Sequence, residues 1–208
     1  MIRTMSLASL IALLPAAAGA QAGAPGADDA ALAAKAAETE RIAEAAEEMR
    51  VGPVVGQPAP EVSVVGPDGA VSFMDIAGEK GTVIAFFRSA EWCPYCKKQL
   101  IDLEAAAAPL AEAGWTLAGV SYDSPEILAG FKAEKDLSYA LYSDTGSAAI
   151  DAFRLRNHEM QPGSRYDGIP HPAIVFIGSD GVVKAVMREE GYKDRPAIEA
   201  VVGMAEAL

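Results

Sequence analysis

The sequence predicts an α/β domain in which helices flank a central mixed β-sheet. Two apolar runs rich in β-branched and aromatic residues, 82–87 and 115–122, are typical of buried strands, and a predicted helix follows each of them. Near the C-terminal end, two more apolar runs flank Gly178-Ser179-Asp180-Gly181, which indicates a hairpin. Strands that alternate with helices, followed by a hairpin, describe a sheet with both parallel and antiparallel pairs.

The domain is expected to begin after Val51-Gly52-Pro53, where an alanine-rich segment ends. The turn residues at 66–69 predict a first hairpin, and Ser124 followed by Pro125 predicts a capped helix start. The predicted strands are residues 61–65, 70–73, 82–87, 115–122, 140–142, 173–177 and 182–187. The predicted helices are residues 96–113, 125–135, 146–153 and 196–208.

The N-terminal residues predict export. Residues 1–20 carry Arg3, then an apolar stretch at 7–14, then Ala18-Gly19-Ala20, which is the order of a secretory signal peptide. The apolar stretch is shorter than the roughly 20 residues of a spanning helix, so an uncleaved anchor is the weaker alternative. We expect a mature protein that begins near Gln21, does not span a membrane, and is periplasmic or otherwise exported.

Residues 21–50 are predicted to form a linker and an alanine-rich helix, and residues 51–208 a single domain. A chain of 208 residues is long enough for one well-buried domain. Its formal net charge of −12 makes nucleic acid an unfavourable partner, because phosphates would be repelled.

The two cysteines of the chain, Cys93 and Cys96, lie in Trp92-Cys93-Pro94-Tyr95-Cys96, where a predicted strand ends and a helix begins. A helix N-terminus favours a thiolate over a thiol. Thiolates attack disulfides and peroxides, so the placement predicts redox chemistry, with no metal or cofactor. A structural disulfide is the weaker interpretation, because closing so short a loop stabilises little.

Several segments carry a family resemblance when they are taken together and in order. They are Gly56-Gln57-Pro58-Ala59-Pro60, residues 119–126, residues 141–146, and residues 172–177 with Asp180-Gly181. Over residues 55–187 the chain resembles the thioredoxin-like superfamily, and within it the peroxiredoxin-related branch of alkyl hydroperoxide reductase/thiol-specific antioxidant (redoxin) domains. The resemblance implies a thioredoxin-like fold.

The resemblance also implies a proline in cis that precedes the last hairpin and packs against the cysteine pair. Pro172 fits this position, with Pro170 as the competing assignment. An ordinary trans proline at the first residue of a strand is the alternative. His171 would then lie beside the thiols, either as a proton donor or as part of a groove.

Peroxidases of this family have the pattern Pro-x-x-x-Thr-x-x-Cys, with the nucleophile at the last position. On this chain the nucleophile is Cys96, the threonine is replaced by Cys93 and the proline by Ser89. Both departures weaken the peroxidase interpretation. The arginine that assists the family's reaction has no motif match, and the candidates are Arg154, Arg156 and Arg165.

A thiol–disulfide oxidoreductase is therefore the preferred prediction. Cys93, exposed ahead of the helix, would attack as a low-pKa thiolate, and the more buried Cys96 would resolve the mixed disulfide. Trp92 and Tyr95 would line an apolar groove, unless one of them packs on the core. The basic residues that would lower the thiol pKa, or else form a solvated face, are Arg88, Lys97 and Lys98.

The expected partners are protein or small-molecule thiols and disulfides, or peroxides, together with a redox partner that recharges the dithiol. A thiol peroxidase ranks second. Copper(I) binding by Cys93, Cys96 and His171 or His158 ranks a distant third, since two thiolates and an imidazole suit Cu(I). The related copper chaperones separate their cysteines by three residues, whereas this chain has two between them.

Overall fold

The computed structural model describes residues 32, 34–39, 41, 51–189, 191 and 193–208. The chain divides into two units, Met1–Met49 and Arg50–Leu208. The described residues of the first unit are helical and exposed. The predicted signal peptide at 1–20 and the rest of the predicted linker and helix at 21–50 lie outside the described residues. Within the described part, no helix has both the length and the apolar character needed to cross a membrane.

The second unit is built on a seven-stranded sheet. The strands are β1 (Ser63–Gly66), β2 (Gly69–Ser72), β3 (Gly81–Phe86), β4 (Trp115–Ser121), β5 (Ala140–Ser143), β6 (Ala173–Gly178) and β7 (Val183–Met187). Their order in the sheet is β2-β1-β5-β4-β3-β6-β7. β3, β4 and β5 pair in parallel, and antiparallel pairs complete both sides. The predicted mixed sheet is confirmed.

The helices pack against this sheet. They are α1 (Pro94–Glu112), α2 (Pro125–Lys135), α3 (Ala148–Ala152) and α4 (Ile198–Ala207). α1 connects β3 to β4 and α2 connects β4 to β5, so the parallel strands are joined by helical crossovers. The predicted strands and helices of the domain are all present, and their ends differ from the prediction by two residues at most.

The side chains of β3 alternate between two hydrophobic clusters. Val83 and Ala85 pack with the buried leucines of α1, on the face that also receives α2 and α4. Ile84 and Phe86 pack on the other face with Phe153, whose ring centroid lies 5.1 Å from that of Phe86. Both faces of the strand are covered, which explains why its sequence is continuously apolar rather than alternating.

Helix α1 begins at Pro94, two residues before the predicted start. A proline fits the first turn of a helix because its missing N–H would have no partner within the helix. Cys93 is the N-cap residue, and its Sγ accepts a hydrogen bond from the Cys96 backbone N–H at 3.3 Å. Both cysteines therefore belong to the start of α1.

The prediction of a cis bond before Pro172 is wrong, because no peptide bond between described residues is cis. Pro172 directly precedes β6, where a proline's missing N–H breaks no bond of the ladder. The N–H of His171, one residue earlier, donates to the Leu155 carbonyl at 2.7 Å. The chain enters β6 in the ordinary trans form, which is intrinsically favoured by about 0.5–1 kcal/mol.

Replacing Leu103 of α1 by alanine is expected to lower the free energy of unfolding by about 2–5 kcal/mol, because it leaves a cavity in the core. The Leu103 side chain is fully buried. Ile101→Ala in the same helix is the matched control, since Ile101 is 44% exposed and its loss is expected to change stability by only about 0.5 kcal/mol. Urea denaturation followed by circular dichroism measures both variants, and equal losses would contradict this packing of α1.

Candidate active site

Cys93 and Cys96 lie at the start of α1, just after the chain leaves β3. Both are free thiols, and they are 2% and 0% exposed, respectively. The expectation that Cys93 is exposed ahead of the helix is wrong. Its side chain turns back to cap the helix, and this buries the sulfur beside that of Cys96.

Cys96 has the lower pKa of the two thiols. The Cys93 thiol donates a hydrogen bond to the Cys96 sulfur, and with the backbone N–H groups of Ser89 and Arg88 and the charge of Arg195 this lowers the pKa of Cys96 to about 6, despite burial. The same hydrogen bond, together with burial, raises the pKa of Cys93. The surroundings therefore favour Cys96 as the thiolate, whereas the sequence assigned the lower pKa to Cys93, because the additional donors and the guanidinium surround Cys96.

Arg195 is the site residue that the sequence analysis missed. Its Nη2 donates to Cys96 Sγ at 3.5 Å, across 99 positions of the chain. Its Nε donates to Gln99 Oε1 at 2.6 Å, and its Nη1 donates to the Asp194 carbonyl at 2.6 Å. The sequence signal was only an arginine at the start of the last predicted helix, which does not identify a partner so distant in the chain.

The arginines proposed from the sequence have other contacts. Arg156 pairs with Asp151 at 2.5 Å. Arg165 lies over the Trp92 ring, with its guanidinium carbon 5.9 Å from the centroid. Arg154 adopts a left-handed backbone conformation, with φ of 56°. Arg156 and Arg165 thus support the loops around the site.

Two buried side chains fix the loop between β3 and α1. Ser89 Oγ accepts from the N–H groups of Glu91 at 3.0 Å and Trp92 at 3.3 Å. Asp123, just after β4, accepts from the Ala90 N–H at 2.7 Å, and burial raises the pKa of this carboxyl. Ser89, which replaces the proline of the peroxidase pattern, therefore orders the loop through its hydroxyl.

A cleft of about 480 Å³ opens beside Cys93. The other predicted site residues that line it are Trp92, Pro94, Tyr95, His171 and Pro172. Cys96 is not among its lining residues and has no exposed surface. The structure thus gathers the predicted residues around one cleft, with Cys93 in its wall and Cys96 buried next to Cys93.

The two predicted groove residues differ in their surroundings. Trp92 is held by its Nε1, which donates to Tyr122 Oη at 3.0 Å, and by an edge-on contact with Tyr166 at 4.9 Å between centroids. Its ring also packs against the core cluster of α1. Tyr95 is 37% exposed, with the Lys193 ammonium 5.9 Å from its ring centroid. Trp92 is a fixed wall of the cleft, and Tyr95 forms its exposed rim.

His171 lies in the wall of the cleft. Burial, and then the charge of Arg188, lower its pKa, so that the ring is neutral at neutral pH. Its role as a proton donor stays a prediction. Among the described residues, no group of three or more His, Cys, Asp or Glu side chains is placed to hold a metal ion. The copper hypothesis therefore gains no support from an assembled ligand set.

The basic residues beside the pair act differently from one another. The charge of Arg88 opposes the rise in the pKa of Cys93. Lys98 instead pairs with Asp102 at 2.6 Å on an exposed face of α1. This agrees with the alternative in which the basic residues form a solvated face.

The model of the AhpC/TSA family matches residues 55–186, which is most of the domain. The chain belongs to the AhpC/TSA family. The family assignment confirms the resemblance found in the sequence, including the thioredoxin-like character of the fold, and it confirms a thiol-based redox enzyme.

Individual relatives agree with the AhpC/TSA assignment. The chain is 29% identical over 141 residues to "Putative peroxiredoxin bcp" of Haemophilus influenzae, which covers 67% of this chain and 89% of that protein. A Mycobacterium tuberculosis protein with a similar description is 30% identical over 129 residues, covering 62% of this chain and 80% of its own length.

Solved structures of similar fold are peroxiredoxins. Peroxiredoxin Q of Xanthomonas campestris superposes with a TM-score of 0.61 at 24% identity, covering 74% of this chain and 97% of that one. Reduced Prx3 of Vibrio vulnificus gives a TM-score of 0.64 at 16% identity, covering 74% and 98%. At these identities the likeness concerns the fold alone. Arg195 lies beyond the residues matched by the AhpC/TSA family model.

The thiolate of Cys96 is expected to form with a midpoint near pH 6 in the reduced protein, because the lowered pKa keeps the charged form present above that pH and loses it below. The ultraviolet absorbance of the thiolate, followed against pH, measures this. Cys96→Ser should remove the step, while Cys93→Ser should keep a step below the ordinary thiol value of about 8.5. A low step that survives only in Cys96→Ser would assign the thiolate to Cys93 instead.

Proposed function

We propose that the protein is a thiol-dependent peroxidase whose peroxidatic cysteine is Cys96. The observation that carries the proposal is the contact of Cys96 Sγ with Arg195 Nη2 at 3.5 Å, which together with the Cys93 thiol and backbone donors lowers the pKa of Cys96. Membership of the AhpC/TSA family and similarity to proteins named as peroxiredoxins support it. In the exchange mechanism preferred from the sequence, Cys93 makes the first attack. Because the pKa of Cys93 is raised, thiol–disulfide exchange ranks second.

The first step is attack of the Cys96 thiolate on the terminal oxygen of a peroxide. A sulfur–oxygen bond forms as the oxygen–oxygen bond breaks. The sulfur is oxidised to a sulfenic acid, and the other peroxide oxygen leaves as an alkoxide or hydroxide that takes a proton from solvent. The products are an alcohol or water and Cys96 in the sulfenic form.

Cys93 is the resolving cysteine in this scheme. Its sulfur attacks the Cys96 sulfenic acid, the disulfide forms, and the hydroxyl leaves as water with the proton of the Cys93 thiol. The two side chains are already in hydrogen-bond contact, so little movement separates them from a bond. An external dithiol then reduces the disulfide by exchange and is itself oxidised to a disulfide.

Peroxide reaches the sulfur from the cleft beside Cys93. Cys96 has no exposed surface, so the path opens by movement of the Cys93 side chain or of Tyr95 at the rim. Hydrogen peroxide and small alkyl hydroperoxides both fit a space of about 480 Å³.

Thiol–disulfide exchange is the second candidate because Cys93, not Cys96, lines the cleft. A protein disulfide placed against Trp92 and Tyr95 would meet the Cys93 sulfur first. In that reaction Cys93 would form the mixed disulfide and Cys96 would release the substrate.

Two single-cysteine variants separate the candidates. Cys96→Ser is expected to lower peroxide consumption to the rate of free cysteine. Cys93→Ser should consume one equivalent of peroxide and keep a sulfenic acid on Cys96, which a sulfenic-acid reagent and mass spectrometry locate. Rapid formation of sulfenic acid at Cys93 in Cys96→Ser would reverse the assignment. A protein that consumes no peroxide but traps disulfide substrates at Cys93 would favour exchange.

We also propose that residues 1–20 direct export and are removed. Support comes from the charged start, the apolar middle and the small residues before Gln21. Expression of the full chain in a bacterium, followed by periplasmic extraction and N-terminal sequencing, is expected to give a periplasmic protein that starts near Gln21. An intact chain in the cytoplasmic fraction would overturn this part of the proposal.

A further inference from the structure

The loop between α3 and β6 supplies one side of the cleft. Residues 158–168 of this loop contain no helix or strand. Glu159, Met160 and Tyr166 of the loop line the cleft together with Cys93. These side chains are distant from the cysteines along the chain, so the position of the 158–168 loop decides how wide the approach to Cys93 is.

The 158–168 loop is closed at its neck. The Asn157 N–H donates to the Ile169 carbonyl at 2.8 Å, which joins the residues on either side of the loop. Arg156 adds a side-chain clip, because its Nη1 pairs with Asp167 at 2.8 Å while its Nη2 donates to Asp151 of α3 at 2.9 Å. The two ends of the loop are therefore held to each other and to α3.

Tyr122, directly after β4, ties the 158–168 loop to the residue before Cys93. Its hydroxyl donates to the Arg165 carbonyl at 2.8 Å and accepts from Trp92 Nε1 at 3.0 Å. Tyr166 of the same loop makes an edge-on contact with the Trp92 ring, at 4.9 Å between centroids. Tyr122 is not among the residues that line the cleft, so it acts on the cleft through the loop and Trp92.

The cleft bounded by this loop has the size of a small-molecule site. Its volume of about 480 Å³ lies in the lower half of the range of about 300–1,000 Å³ that is usual for such sites. A protein disulfide is carried by a folded chain, and even weak protein–protein contacts bury up to about 600 Å² on each partner. Cys93 is only 2% exposed, so a protein surface would contact the loop and Trp92 before its disulfide reached the sulfur.

We propose that the 158–168 loop makes the site selective by size, admitting small hydroperoxides and small disulfides and excluding protein disulfides, and that Tyr122 is its positioning residue. The inference rests on the proposed function, which makes a small hydroperoxide the substrate. It applies to the reduced protein, in which both cysteines are free thiols. The Trp92 ring, which the sequence assigns to a groove for thiols and disulfides, is instead occupied by contacts with the loop.

The selectivity can be measured on Cys93 alone. In a Cys96→Ser background, Cys93 is the single cysteine of the chain. Its thiolate attacks one sulfur of a reagent disulfide, so that a new sulfur–sulfur bond forms, the bond of the reagent breaks, and the other half leaves as a thiolate that takes a proton from solvent. Mass spectrometry against time gives the rate of this step for bis(2-hydroxyethyl) disulfide, a small neutral reagent, and for insulin, a protein with disulfides. The small reagent is expected to react much faster than insulin.

Loosening the loop should change the rate for the protein reagent only. In this background Tyr122→Phe is expected to raise the insulin rate by about tenfold, because two hydrogen bonds that hold the loop and Trp92 are lost together. Arg156→Met, which frees the neck from Asp167, should act in the same direction. Tyr139→Phe is the matched control, since it removes a hydroxyl that donates to the Leu100 carbonyl in the core at 2.6 Å, and it should leave both rates unchanged.

Equal rates for the two reagents without a loop substitution would overturn the proposal, as would an insulin rate that neither Tyr122→Phe nor Arg156→Met raises. Acceleration of both reagents by the same factor would also contradict it, because that result indicates a general loosening of the domain. If circular dichroism shows that Tyr122→Phe is unfolded, Arg156→Met decides by the same criteria. A wild-type protein that consumes no peroxide would overturn the peroxidase function, while the ratio of the two reagent rates would still decide the size selection.

Discussion

The position of β3 in the middle of the sheet is the constraint on which the site depends. The strand pairs in parallel with β4 and antiparallel with β6 along its whole length, and all six of its residues are buried. Its register is therefore fixed on both sides, and so is the point where the chain leaves the sheet. The loop that follows is held to the end of β4 by Asp123, and α1 starts at Pro94, directly after it.

That geometry places both cysteine sulfurs at one helix N-terminus. The two sulfurs compete for the same stabilisation of a negative charge. Cys93 accepts the N–H of the first turn, yet its thiol also donates to Cys96, which has additional donors and a guanidinium. In a buried pair the second negative charge would be costly, so one sulfur keeps the proton. The proposed division of labour between nucleophile and resolving cysteine follows from this shared proton.

Much of the fold could be predicted because its signals are local. The apolar run at 82–87, the turn at 66–69 and the Ser124 cap each depend on neighbouring residues, and each was predicted within two residues. The position of the cysteines at a strand–helix boundary is local as well. These features needed no knowledge of how distant segments meet.

The properties of the site could not be predicted in the same way, because they depend on long-range contacts. The burial of Cys93 follows from the packing of the loop against β4 and the cleft wall. The order of the two pKa values depends on donors around Cys96, including Arg195 from the far end of the chain. The trans bond at Pro172 follows from the entry into β6 beside Leu155. Each outcome was set by tertiary structure, and no pattern near the cysteines encodes it.

The family model ends before Arg195, while the compact unit that holds both cysteines continues to Leu208. The sheet and both cysteines lie within the matched region, while Arg195 belongs to the stretch that follows it. Substitutions in that stretch can therefore change the pKa of Cys96 without removing a hydrogen bond of any strand. A variant in which residues 188–208 are replaced without an arginine at position 195 would keep both sulfurs but lose one of the groups that lower the pKa of Cys96.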